Sequence, residues 1–220
     1  SHNLFEANAG VTGVDTRNSP GAVDAETGHL WSLKGHLYGA AGEAIPSVAS
    51  TYDLGFPLPL DHSSIWLRTG AYISTGSPSD PLANAYLGGF GNNYVDTEAN
   101  GGPQRYRQLL RMPGFAIDAL SGKSLIKGLL EWCLPPVRFE GFGSPGFFVN
   151  WARPELFAGA LKTNLGTSGV RHDAQDVGFQ VDFQMHVMHR QPMMLSVGIA
   201  QGYGGGGLGT TEFMLSLQVL

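Results

Sequence analysis

The last quarter of the chain alternates apolar and polar residues with a period of two, in three successive stretches. From Val177 to Val187 the odd positions Val177, Phe179, Val181, Phe183, Met185 and Val187 are apolar, and the even ones are Gly178, Gln180, Asp182, Gln184 and His186. Successive side chains of a strand point to opposite faces, so this pattern makes a strand with one greasy and one wet face, whereas a helix would scatter it around its axis. Met193, Leu195, Val197 and Ile199 then oppose Ser196, Gly198 and Ala200, and Phe213, Leu215, Leu217 and Val219 oppose Ser216 and Gln218. In a soluble sandwich the apolar face turns inward; in an outer-membrane barrel it turns outward to lipid.

The same period recurs upstream. Trp31, Leu33 and Leu37 alternate with Ser32, Lys34 and His36; Val48, Tyr52, Leu54 and Phe56 oppose Ser47, Thr51 and Asp53; Ile65, Leu67 and Ile73 oppose Ser64, Arg68 and Ser74. Each stretch has the length that a tilted strand needs to cross a bilayer, about ten residues. Residues 1–28 are polar and without period, which predicts a connection or loop, and residues 29–220 carry the strands. Between 75 and 120 the alternation gives way to a segment rich in Gly, Pro and Asn, and a loop of that length inside a domain is usually functional. Strands resume with Ile126, Leu130, Trp132 and Leu134 against Lys127 and Glu131, and then with Phe147, Val149 and Trp151 running on to Leu161. The expected fold is all-β: an antiparallel transmembrane β-barrel, or the C-terminal portion of one, with about eight strands and one long internal loop. Val181, Phe183, Leu215 and Leu217 are then expected to face lipid, with Trp31, Tyr52, Phe56, Trp132, Phe147, Trp151 and Phe213 near the strand ends, where an aromatic girdle lies.

Composition narrows the function. Charged residues make up only 14% of the chain while glycine reaches 32 residues, which suits strands joined by tight turns better than a helical bundle. A net charge of -5 leaves no surplus of cations for a phosphate backbone, and one short basic cluster, Arg105, Arg107 and Arg111, does not change that, so no nucleic-acid partner is expected. Cys133 is the lone cysteine, so an intrachain disulfide and a thiolate cluster are both excluded.

Catalytic motifs were sought and set aside. Asp61-His62-Ser63-Ser64 holds the residue types of a hydrolase triad, but neighbours along an extended chain point in opposite directions and cannot form the relay. Gly122-Lys123-Ser124 echoes the end of a phosphate loop, yet Ile117 stands where the upstream glycine is required and a strand follows. The histidines lack ligand spacing backed by carboxylates. No catalytic residue, metal ligand or cofactor is expected.

Three stretches together resemble the C-terminal part of the bacterial surface-antigen superfamily, which includes the outer-membrane insertase of barrel assembly. They are Leu87-Gly88-Gly89 with Leu110-Arg111-Met112-Pro113-Gly114-Phe115; the run from Gly122 to Trp132 followed by Leu134-Pro135; and the closing series from Asp176. The resemblance implies that the long loop folds back into the barrel lumen, with Arg111, Gly114 and Phe115 at its tip and the arginine paired with acids on the wall. Met112-Pro113 stretch that tip by two residues, and Arg105 or Arg107 are the alternative cations. The polar faces of the strands supply the wall: Lys127, Glu131, Gln180, Asp182 and Gln184, of which Glu131 and Asp182 are the candidate partners. Read without the resemblance, the same polar rows are equally a solvent face. Because the family barrel has about sixteen strands, the chain is expected to be a C-terminal portion.

These readings place the chain in the bacterial outer membrane, without enzymatic activity, where it takes part in inserting or translocating polypeptide or lipid. Its expected partners are outer-membrane lipid, polypeptide substrates and an upstream periplasmic domain. Two alternatives stand beside this one: a secreted soluble β-sandwich that binds a ligand through its long loop, and a barrel that anchors an upstream enzyme or propeller domain.

Overall fold

A computed structural model describes residues 4–40, 43–91, 96–97, 105–140, 142–144, 146–188 and 191–219. These form β1 (Leu4–Arg17), β2 (Thr27–Ala40), β3 (Glu43–Pro57), β4 (Ser64–Ser74), β5 (Ala85–Leu87), β6 (Asp96–Thr97) and β7 (Leu120–Gly122). They continue with β8 (Ser124–Cys133), β9 (Val137–Arg138), β10 (Gly143–Ser144), β11 (Phe147–Thr163), β12 (Asp173–Val187), β13 (Gln191–Gly204) and β14 (Thr211–Val219). No α-helix occurs among the described residues.

Nine long strands build one antiparallel meander in the order β1-β2-β3-β4-β8-β11-β12-β13-β14. The all-β, antiparallel expectation therefore holds, while the count of about eight gives way to fourteen strands among the described residues, nine of them long. Among the described residues no closed barrel forms: β1 pairs only with β2 there, and the outer edge of β14 meets the two-residue β6, in parallel. The expectation of a loop over residues 1–28 is corrected as well. Leu4–Arg17 is a strand in full register with β2, although its outward residues include Ala7, Ala9 and Gly13, too small to produce a hydrophobic period. Its strand character comes from the neighbour that satisfies its backbone groups.

Register lines up the two faces. On one face Phe56, Ile65, Trp132, Leu156, Phe179, Ile199 and Phe213 are direct cross-strand neighbours in a single ladder across seven strands. Six of the seven count among the exposed large hydrophobics, Phe213 at 72%. On the other face Arg153, Asp182, Ser196 and Ser216 form a ladder that is buried throughout. The sheet is thus apolar where it is open, and mixed where it is covered, its charged residues lying buried among Leu129, Phe157, Leu161 and Met214.

The cover is the segment between β4 and β8. It carries a small antiparallel sheet, β5 with β7, and lays Leu87, Phe90, Tyr106, Met112 and Phe115 against the polar face, each at most 1% exposed. Ala85, Leu87, Met112, Phe115 and Leu120 pack on Leu125, Leu161 and Ala174 of the sheet, and Phe90 and Tyr106 pack on Leu129, Phe157, Ala200 and Met214. Each fully buried apolar side chain of this kind stabilises the seat by about 1.5–3 kcal/mol. The core therefore lies between the long segment and one face of the sheet.

The segment's tip sits on backbone. Gly114, at φ +78°, lies so close to Gly202 that a Cβ on Gly202 would stand 2.3 Å from the Gly114 carbonyl oxygen. Glu212 fastens the same place by accepting from the amides of Gly114 and Phe90, both at 2.9 Å.

Candidate functional site: an ionic seat beneath the long segment

The short turn Arg105–Arg107 drops two cations and a phenol onto the polar face. Arg107 donates through Nε to Glu131 Oε1 at 2.7 Å and through Nη2 to Glu155 Oε1 at 2.8 Å. Arg105 reaches Asp182 Oδ1 and Ser216 Oγ, each at 3.4 Å. Between them the Tyr106 hydroxyl contacts Glu131 Oε1 and Glu155 Oε2, the latter at 2.7 Å, while its ring stacks on Phe157 with centroids 4.1 Å apart.

The wall supplies further cations. Arg68 on β4 donates from Nε to Glu131 Oε2 and from Nη1 to Asp53 Oδ2, both at 2.7 Å. Arg153 on β11 reaches Glu155 Oε1 at 2.7 Å, Asp24 Oδ2 at 3.0 Å and Asp182 Oδ2 at 3.6 Å. Their guanidiniums lie over Trp66 and Trp151, at 4.9 and 6.0 Å from the ring centroids. Glu131 and Glu155 are completely buried, so removing a cation leaves a charge that water cannot reach.

Lys127 Nζ donates to the carbonyls of Tyr106 at 3.1 Å, Gln108 at 2.8 Å and Arg111. It holds the segment by its backbone. Gln180 donates to Asp182 Oδ1 at 2.8 Å. Gln184 lies outside this group and accepts from Asn150 at 3.4 Å near the other end of β12.

Of the three arginines singled out from the sequence, Arg105 and Arg107 meet wall carboxylates and Arg111 does not. The Arg111 guanidinium contacts the Gln108 side chain at 3.4 Å, and its role in the seat is the carbonyl that Lys127 holds. The two residues Met112-Pro113 separate it from Gly114 and Phe115, which do sit at the tip against β13, with Phe115 under Gly202 and Gly204.

Sequence reasoning missed Asp24, Asp53, Arg68, Tyr106, Arg153 and Glu155 as members of the cluster. Asp53 and Arg68 had a legible signal, because each falls at the polar parity of its strand, whereas Arg153 and Glu155 share the odd positions of Phe147, Val149 and Trp151. A β-bulge between Val149 and Trp151 disturbs that parity in β11 and buries Trp151, which was expected in an exposed girdle. Asp24 had none: it lies in the β1–β2 connection and reaches Arg107 Nη1 at 3.6 Å as well as Arg153. Burial opposes the charge on Asp24, but Arg153 and Arg107 outweigh it and hold its carboxyl below the usual aspartate range.

Glu131, Cys133 and Glu155 each bring a possible ligand atom within 4.8 Å of one another. Arg68, Arg107 and Arg153 already occupy those carboxylates, so a metal ion would face three guanidiniums, and the group is a poor cation site.

Comparison with protein-family models, curated proteins and solved structures finds no match to this chain.

Proposed function

We propose that the chain is part of an outer-membrane β-barrel of the surface-antigen type, with the long segment as an internal plug, acting in insertion or translocation of polypeptide or lipid. The observation that carries this reading is how the sheet divides its residues: the open face is apolar, and the charged residues lie on the covered one. A seven-residue apolar ladder lies open, while Glu131, Glu155, Asp182, Arg105 and Arg153 are buried under the plug. A soluble protein gains its stability by burying the apolar face, whereas a hydrocarbon solvent rewards this arrangement.

Strand length agrees. A span of 14 residues, as in β2 and β13, reaches about 45 Å at the usual rise, which more than covers the hydrocarbon core when tilted. In lipid the outer edge of β1, and that of β14 beyond its two-residue pairing with β6, would each need a partner. Nine meander strands leave β1 and β14 running in the same direction, so a barrel that closes only through antiparallel pairs contains these nine and an odd number of further strands. The seat of charge-assisted bonds would keep the plug in place until a substrate or a conformational change displaces it.

Solubility tests the reading. The purified chain should fold only in detergent or lipid and should protect the outward ladder from water-soluble labels. A stable folded monomer in plain buffer, with Phe179 and Ile199 freely labelled after cysteine substitution, overturns it.

A further inference from the structure

The hydrogen bonds around Tyr106 do not balance if every carboxyl is ionised. Its hydroxyl lies within bonding distance of two carboxylate oxygens, Glu131 Oε1 and Glu155 Oε2, and it has one hydrogen to give. Two O–H···O bonds need two hydrogens, so the second belongs to a carboxyl group. Glu131 is excluded by its other partners: Arg107 occupies Oε1 and Arg68 occupies Oε2, each with an N–H at 2.7 Å. Glu155 is different. Its Oε1 takes Arg107 and Arg153, whereas Oε2 has, besides Tyr106, only the Gln180 amide at 3.5 Å.

The charge count leaves room for that proton. Arg68, Arg105, Arg107 and Arg153 are the guanidiniums of the linked cluster, and Asp24, Asp53, Glu131, Glu155 and Asp182 are its carboxyls. Among the described residues four cations face five acids, of which Asp24, in the β1–β2 connection, is 44% exposed.

We infer that Glu155 is a proton-binding site: its carboxylic acid donates from Oε2 to the Tyr106 hydroxyl, which in turn donates to the Glu131 carboxylate. The seat of the long segment is then proton-linked. Loss of the Glu155 proton leaves Tyr106 with one hydrogen between two anions and adds an uncompensated charge under the plug. The groups facing Glu155 are Arg153 on its own strand, Glu131 and the Cys133 thiol on β8, Gln180 and Asp182 on β12, Arg105, Tyr106 and Arg107 on the long segment, and Asp24 in the β1–β2 connection. Arg68 and Asp53 act one step further out, through Glu131. Because the folded chain keeps a proton that the unfolded chain releases, stability falls as pH rises above the ordinary glutamate range. The slope is about tenfold in the folding equilibrium per pH unit, and it levels off where Glu155 itself ionises. The inference rests on the plug geometry and does not depend on the membrane reading.

Infrared difference spectroscopy of the folded full chain tests it. Wild type minus Glu155→Gln at neutral pH should show the carbonyl stretch of a protonated carboxyl, sensitive to deuterium exchange. A carboxylate band in its place overturns the inference. Glutamine retains an N–H donor for Tyr106, so Glu155→Gln should fold and lose the tenfold-per-unit slope above the ordinary glutamate range, while Glu131→Gln strands Arg68 and Arg107 and weakens the seat. The reverse ranking also overturns it. If Glu155→Gln does not fold, the Asp176→Asn protein decides, since Asp176 on β12 is another buried carboxyl and neither of its oxygens accepts a side-chain hydrogen bond among the described residues. A protonated-carboxyl band that survives in Asp176→Asn supports the site, and its absence refutes it.

Discussion

Val197→Arg separates a lipid-facing sheet from a solvated one. Val197 is 43% exposed, stands near the middle of β13, and has as direct cross-strand neighbours Val181, near the middle of β12, and Leu215, at the middle of β14. If the ladder faces hydrocarbon, an arginine here lies near the bilayer midplane and costs about 2–4 kcal/mol, roughly a 30- to 700-fold loss in the folded-to-unfolded ratio. If the face were wet, the same change on an exposed strand position would move stability by no more than about 0.5 kcal/mol. Ile73→Arg is the internal control. Ile73 is 62% exposed but one residue from the end of β4, where a long side chain can snorkel to the interface, and about 0–1 kcal/mol is expected. Urea titration of the chain folded in lipid vesicles, read by tryptophan fluorescence, measures both. Equal and negligible effects at the two positions would refute the reasoning.

Arg107→Ala should cost about 3–5 kcal/mol, because it uncovers the buried Glu131 and Glu155, whereas Arg111→Ala should stay within about 0.5 kcal/mol; trypsin cleavage of the plug and denaturant midpoints report the contrast. Gly202→Ala drives a Cβ into the Gly114 carbonyl and should cost about 1–3 kcal/mol by displacing the plug tip, while Gly128→Ala, with nothing within 4 Å of the added carbon, should be silent in thermal unfolding. The lowered Asp24 carboxyl contributes stability that is present above its unfolded value, about pH 4, and is lost as pH falls through the folded one. Hydrogen-exchange protection in residues 18–26, taken relative to the intrinsic rate at each pH, should therefore fall on acidification, and Asp24→Asn should abolish that fall.

The strand segments and their faces were legible in the order of residues, because alternation is a local property: Val177 to Val187 needs no knowledge of its neighbours to present Gln180 and Asp182 on one side and Phe179 and Val181 on the other. Strand β1 was not legible, since Ala7, Ala9 and Gly13 carry too little hydrophobic contrast and only pairing with β2 makes the segment extended. The ionic seat divides in the same way. Lys127, Glu131 and Asp182 fall at polar parity and could be named in advance. Which cation meets them depends on how the long segment lands, and the landing is set by Gly114 on Gly202 and by Phe90, Tyr106 and Phe115 in their pockets. Those contacts join residues far apart in the chain, so no periodicity encodes them. That is why Arg107 rather than Arg111 holds Glu131, and why Asp24, from a connection without a pattern, closes the cluster.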